Sequence, residues 1–216
     1  MSQIAGGNGM PDNMEQGVNR REFFKSAFVE LTKVVLEFSG AGGEGRRKRR
    51  NYLRPPGAVE EDLFNTLCTR CDECIKVCPH QCIRGSDSES ETGARVGTPI
   101  IRPREAACRL CHDFPCITVC KDGALRPVED IRKVKIGVAF IDRRRCFDYT
   151  FDYMRAQTSP CQQCYSQCPL KDEAITLEGS GPVIQAEKCV GCGICENVCQ
   201  TVNPPSAVRV FPMKHS

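Results

Sequence analysis

Cys68-Thr-Arg-Cys71-Asp-Glu-Cys74-Ile-Lys-Val-Cys78-Pro79 sets four cysteines at C-x2-C-x2-C-x3-C and follows them with proline. The same spacing returns as Cys189, Cys192, Cys195 and Cys199. A stretched copy, Cys108, Cys111, Cys116 and Cys120, has two extra residues before its third cysteine. Cys161, Cys164 and Cys168-Pro169 form a further copy whose first cysteine is missing nearby. Cys146 supplies it: the approach Ala139-Phe-Ile-Asp142-Arg-Arg-Arg-Cys146 resembles Val183-Ile-Gln-Ala-Glu-Lys-Cys189, and an insertion separates Cys146 from Cys161. Motifs therefore begin at 68, 108, 146 and 189, an internal repeat of roughly 40 residues.

The spacing points to a chemistry. Three cysteines two residues apart wrap a tight loop around one corner of an iron–sulfur cubane. The fourth lies one helical turn past the third, points away, and serves the neighbouring cluster when two motifs pair. Pro79 and Pro169 stop the helical turn and send the chain off extended. Lys121 and Gln200 replace proline after the other two fourth cysteines, which relaxes the backbone there. A zinc site would use two separated C-x2-C knuckles, or cysteine with histidine, for one tetrahedron. Here the only histidines are His80, His112 and His215. Sixteen cysteines make four sets of four, enough for four [4Fe-4S] clusters: Cys68, Cys71, Cys74, Cys78; Cys108, Cys111, Cys116, Cys120; Cys146, Cys161, Cys164, Cys168; and Cys189, Cys192, Cys195, Cys199. The seventeenth, Cys82, aligns with Ala124 and Ala174 of other repeats and reads as a small buried hydrophobe.

Composition agrees. Of 216 residues 40% are hydrophobic, but 17 of these are cysteines, and tryptophan is absent. That is a thin core, one that metal would have to complete. An odd cysteine count excludes a fully paired disulfide scaffold. No apolar run reaches the length of a membrane span. Thirty basic against 27 acidic residues do not suggest nucleic-acid binding. Oxidised clusters, at about −2 each with their thiolates, would turn the formal +3 into about −5. Arg70, Lys76, Arg109, Arg143, Arg144, Arg145 and Lys188 stand near cysteines and read as partial compensation or as ordinary surface charge. No glycine fingerprint for flavin or nicotinamide is present. No C-x3-C-x2-C loop of radical enzymes and no nucleophile constellation appears either, so there is no catalytic candidate.

Along the chain, residues 1–18 read as disordered. Residues 19–38 open on Asn19-Arg20-Arg21-Glu22-Phe23-Phe24-Lys25, similar to the twin-arginine export motif. Phe24, Phe28, Leu31, Val35 and Phe38 then form one stripe of an amphipathic helix. The apolar region and cleavage site of a signal are lacking, so the expected address is cytoplasmic, with membrane association through the helix or the basic run. Periplasmic residence by twin-arginine export is the alternative. Residues 39–52 form a Gly/Arg linker, and residues 53–216 one repeat-built unit. Strands are expected at Ile100-Ile101, Val134 to Ile141, Ala174 to Leu177, Val183-Ile184 and Val208 to Phe211, and a surface loop over 86–93.

The assembled motifs resemble the NapG/MauM-type polyferredoxins, four-cluster subunits linked to quinol oxidation for periplasmic nitrate reductase and to methylamine utilisation. The resemblance rests on Leu53-Arg-Pro-Pro-Gly-Ala-Val-Glu-Glu-Asp62, on Cys108-x2-Cys111-His-Asp-Phe-Pro-Cys116-x3-Cys120 with Gly123-Ala-Leu125, on Cys161-x2-Cys164-x3-Cys168-Pro-x-x-Asp-Glu-Ala-Ile-Thr176 and on the closing KCVGCGICENVC, over roughly 53–212. It implies an α+β fold of tandem bacterial two-[4Fe-4S] ferredoxin-like units, with small strands and short helices around four clusters. It also implies a one-electron relay. The partners would be a membrane ferredoxin-type quinol oxidase subunit and a terminal reductase, with no transmembrane span in the chain itself. An electron-input subunit of a soluble cytoplasmic oxidoreductase is the alternative. Carried over from related subunits, outer motifs 68–82 and 189–212 pair, and inner motifs 108–125 and 146–177 pair. Cys199 then joins Cys68, Cys71 and Cys74; Cys78 joins Cys189, Cys192 and Cys195; Cys168 joins Cys108, Cys111 and Cys116; and Cys120 joins Cys146, Cys161 and Cys164. Sequential pairing, first with second and third with fourth, stays open.

Overall fold

The structure, a computed structural model, describes residues 52–89, 93–150, 160–179 and 181–213, all within one compact unit, Lys48–Ser216. The twin-arginine-like motif, its helix and most of the Gly/Arg linker lie outside the described residues.

Each half of the unit is a hairpin enclosed by a second strand pairing. In the first half, α1 (Glu61–Leu67) leads into the first motif and α2 (Glu73–Lys76). Then β1 (Ile83–Gly85) pairs antiparallel with β2 (Pro99–Ile101), and α3 (Pro115–Thr118) carries the second motif. The chain before the first motif returns to the chain after the second: Ala58 bridges Leu125, with Val59 N–H to Ala124 O at 3.1 Å and Arg126 N–H to Gly57 O at 2.7 Å. Gly57 is required there, because φ is +76° and a Cβ would lie 2.2 Å from Arg126 O. In the second half, β3 (Gly137–Ile141) precedes the third motif with α4 (Phe147–Thr150) and α5 (Gln163–Ser166). The hairpin β4 (Ile175–Glu178) and β5 (Gly181–Ile184) follows, then α6 (Ile194–Val202) and β6 (Val208–Pro212). β3 and β6 pair antiparallel over five residues, from Gly137↔Pro212 to Ile141↔Val208.

The strand reading was close, with three differences. β1 is an additional strand, too short for alternation to reveal. Val134 to Ile136 stay outside β3: Ile131–Lys133 form a 3₁₀ turn capped by the Asp130 carboxylate, and Ile136 N–H bonds Val190 O instead. Ser86, expected on a surface loop, is buried, its N–H on Thr98 O and its hydroxyl on Ala94 O.

Cysteine makes up much of the interior. Eight of the thirty buried residues in the main apolar cluster are cysteines, packed among Phe64, Leu53, Ile101, Ile175 and Val208. The Leu-Arg-Pro-Pro-Gly stretch explains itself here. Arg54, 5% exposed, pairs with Glu61 at 2.6 Å and donates to Thr98 Oγ1 and Pro99 O. Its guanidinium lies over the Tyr52 and Phe64 rings at 4.7 and 4.3 Å.

Candidate metal centres

One backbone device recurs in all four motifs. The residue two places before each third cysteine is left-handed: Asp72 (φ 64°), Phe114 (40°), Gln162 (43°) and Gly193 (86°). Each starts the helical turn that carries that cysteine, α2, α3, α5 and α6. The residue before the second cysteine is also left-handed in three motifs: Arg70, Leu110 and Gly191. Alternating handedness turns successive N–H groups into one concavity, a nest for an anion. Non-glycine residues pay about 1 kcal/mol or more for this conformation, so its recurrence at three non-glycine positions, Asp72, Phe114 and Gln162, marks a functional shape. Gly191 and Gly193 have a second reason: their Cβ atoms would meet Gly137 backbone at 2.3 Å and the Pro103 ring at 2.6 Å.

The nests open onto hollows lined by sulfur. Cys68, Cys71, Cys74 and Cys120 line one. Cys108, Cys111, Cys116 and Cys78 line a second, with Cys82. Cys189, Cys192, Cys195 and Cys168 line another. Cys146, Cys161, Cys164 and Cys199 form the remaining group: Cys164 is pushed up to about 12, first by burial, then by the neighbouring Cys146 and Cys199 thiols, Asp148 and Cys161. The structure thus places Cys120, not Cys199, beside Cys68, Cys71 and Cys74, and Cys168, not Cys78, beside Cys189, Cys192 and Cys195, which is the sequential arrangement and not the outer-with-outer one. The cause is strand topology. β3–β6 closes around motifs three and four and Ala58–Leu125 around motifs one and two, so a fourth cysteine reaches only the motif enclosed with it.

Electrostatics say what these hollows need. Burial pushes the Cys74 and Cys116 thiols up to about 12, with the surrounding thiols adding to it. Cys192 is pushed up to about 11, and Cys195 is also raised, both chiefly by burial. Thiolate is costly here without a cation to balance it. Among the described residues no three or more His, Cys, Asp or Glu are grouped so as to hold one metal ion. Four sulfurs spread around a hollow fit the corners of a multi-iron cluster. Backbone N–H groups already donate to several of the sulfurs, among them Leu125 to Cys120 and Ala139 to Cys189, both 3.4 Å, and Ala207 to Cys199, 3.3 Å.

Two carboxylates that spacing did not single out hold this apparatus in place. Asp148, buried, accepts Cys161 N–H at 2.6 Å and Gln162 N–H at 2.9 Å, pinning the chain where it returns from the insertion beside Cys146. Glu196, also buried, accepts Val210 N–H at 2.7 Å and pairs with Arg104 at 2.9 Å. No sequence signal marks either as inward-facing. Several basic residues read as cluster compensation are engaged elsewhere: Lys76 with Glu73, Arg144 with Asp142, Arg145 on Pro205 O and Arg143 over the Tyr149 ring. Gln200, in proline's place, lets α6 run on to Val202 and accepts Ser206 N–H. Cys82 is buried as expected, but the alanine analogy misses its surroundings. The adjacent Cys108 sulfur and then burial push its thiol up.

Residues 182–202 match the Fer4 family, described as a 4Fe-4S binding domain. The chain is 37% identical over 174 residues to the ferredoxin-type protein NapG of Escherichia coli strain K12, covering 74% of this chain and 71% of that protein. It is 39% identical over 170 residues to the methylamine utilization ferredoxin-type protein MauM of Methylorubrum extorquens, covering 74% and 72%. With MauM of Methylophilus methylotrophus the identity is 34% over 206 residues, covering 89% and 86%.

Proposed function

The chain belongs to the family of NapG and MauM ferredoxin-type proteins, an iron–sulfur electron-transfer family, and on that premise we propose that it carries four [4Fe-4S] clusters as a one-electron relay. The observation that carries the count is the exchange of fourth cysteines: each of the four groups draws three from one motif and one from its partner. The sixteen ligands are thus Cys68, Cys71, Cys74 with Cys120; Cys108, Cys111, Cys116 with Cys78; Cys146, Cys161, Cys164 with Cys199; and Cys189, Cys192, Cys195 with Cys168. A bound [4Fe-4S] cluster supplies reversible one-electron chemistry. The chain's part is to hold the sulfurs as thiolates, aim backbone N–H groups at them, and keep water away from the buried ones.

Neighbouring sites follow from the fold. Cys116 lies near Cys74 as well as Cys78, which brings the first and second sites together. Cys195 lies near Cys164 as well as Cys192, which brings the third and fourth together. The halves meet where Cys108 N–H donates to Cys192 O at 3.0 Å, supported by Asn197 on Pro103 O at 2.9 Å. The route therefore runs first, second, fourth, third, out of chain order. Its outer end is Cys71, the exposed cysteine of the first site, where a redox protein partner would dock. That partner we take to be a quinol-linked membrane subunit or a terminal reductase. Among the described residues no helix is long and apolar enough to cross a membrane. We take the address to be cytoplasmic, with Arg20-Arg21 favouring the periplasm as the second reading. An unchanged distribution in cells lacking twin-arginine transport excludes export.

Iron and acid-labile sulfide on the anaerobically purified full chain test the assignment. About sixteen of each is expected, and zinc without sulfide refutes it. The pairing is read from double variants. Cys71→Ala with Cys120→Ala removes one cluster and leaves about twelve irons if the two share a site. About eight irons would return the pairing to outer-with-outer.

A further inference from the structure

The seventeenth thiol stands against the second site. Cys82 is 4% exposed and lines the same hollow as Cys78, Cys108, Cys111 and Cys116. Its Sγ is 3.5 Å from Cys78 Sγ, a contact in which either sulfur could be the donor. The repeats differ at this place. The fourth cysteine of motif two, Cys120, takes the Leu125 N–H, and that of motif four, Cys199, takes the Ala207 N–H. The fourth cysteine of motif one instead touches a thiol, supplied where the second and third repeats carry Ala124 and Ala174.

Chemistry settles the direction of that contact once the ligand assignment above is granted, and the inference rests on it. A sulfur bound to iron has given up its proton, so Cys78 has none to donate. Cys82 is not a ligand, keeps its S–H, and is shut away from water. We propose that Cys82 donates its S–H to a ligand sulfur of the second site, Cys78 Sγ or the adjacent Cys108 Sγ, which makes it a positioning residue that raises the reduction potential of that site. The reasoning is electrostatic. The reduced form carries one more negative charge, spread in part onto the ligand sulfurs, so a donor at one of them stabilises the reduced form more than the oxidised form.

The test uses the full, loaded chain, with the four reduction potentials followed by EPR-monitored titration in wild type, Cys82→Ala and Cys82→Ser. Alanine already occupies the matching position in two repeats, so Cys82→Ala is expected to fold and to retain about sixteen irons. One of the four titration steps should move to lower potential, by about three- to tenfold in that cluster's reduced-to-oxidised ratio at a fixed applied potential, the other three staying in place. Cys82→Ser, which keeps a hydroxyl donor, should recover part of the shift. Four unmoved potentials at full iron content overturn the proposal. So does a Cys82→Ala protein holding about twelve irons, because Cys82 would then be a ligand rather than a donor. A wild-type chain with no iron and sulfide overturns the ligand assignment as well, which tells the two failures apart.

Discussion

The two halves of the unit share one plan and close it with different strength. Around motifs three and four the enclosing pair is a five-residue ladder, β3 on β6, and the last cysteine sits in the nine-residue α6. Around motifs one and two the enclosing contact is the single bridge Ala58↔Leu125 with its two flanking hydrogen bonds, and the helical turns at the cysteines are four residues long. The first half makes up for this with side chains: the Arg54–Glu61 pair, the Phe64 ring and the buried Thr98 hydroxyl. A repeat of this kind can thus be closed by a backbone ladder or by a partly buried ion pair, and the second means is the more exposed to mutation.

The largest test of that contrast is removal of iron under reducing conditions. With eight of thirty core residues being cysteines, chelation should abolish the tertiary fold of the whole chain. Hydrogen exchange should show residues 58–125 losing protection before residues 137–212. Equal rates in the two halves would break the comparison. Next, Arg54→Ala removes the guanidinium from the Glu61 carboxylate, which keeps the Tyr52 hydroxyl and the Asn65 amide, and should cost about 3 kcal/mol. Denaturant-induced bleaching of the loaded protein measures this, with the loss confined to the first half. Asp148→Ala removes the acceptor of two backbone N–H groups, at about 1.5–3 kcal/mol each. Here the expected result is the reverse pattern: iron falling toward about twelve with the first half intact. Unchanged iron content would show that the insertion needs no such pin. A smaller effect concerns pH. Stripped of iron and unfolded, the chain loses the burial that raises Cys74, Cys116 and Cys164, and its thiols hold their protons only to the ordinary value of 9.0; bound to iron they would be thiolates, so loading releases protons. Iron retention against a chelator should therefore strengthen as pH rises and level near 9.0. Smallest of all, Phe140→Ala on the exposed face of β3 should change stability by no more than about 0.5 kcal/mol, a control for the ladder's independence from its outer side chains.

Much of this was legible in the cysteines alone. Their spacing gave four motifs, traced Cys146 across the insertion, and separated Cys82 from the rest. Pairing was not legible, because C-x2-C-x2-C-x3-C is a local pattern and reads the same whichever motif receives the fourth thiolate. Long-range register decides it, and Ala58 meeting Leu125 leaves no periodic trace. Left-handed positions were hidden for a related reason. Glycine marks only Gly191 and Gly193 in the cysteine loops, whereas Arg70, Asp72, Leu110, Phe114 and Gln162 adopt the same conformation under constraint from the fold. Asp148 and Glu196 have the composition of surface residues and the burial of core ones, and acceptors of main-chain N–H bonds carry no motif.

The nested strand pairings also bear on how the chain is made. The Ala58–Leu125 bridge and the two hydrogen bonds that flank it are complete by Arg126, whereas the Cys108 N–H waits for Cys192 O. An emerging chain can therefore close that strand pairing, and present the eight cysteines of the first two motifs, while residues 127–216 are still unsynthesised. An outer-with-outer arrangement would have kept Cys68, Cys71 and Cys74 waiting, reactive and unpaired, until Cys199 left the ribosome. Closing locally shortens the time during which bare thiols face oxidants, a kinetic protection written into the order of the strands.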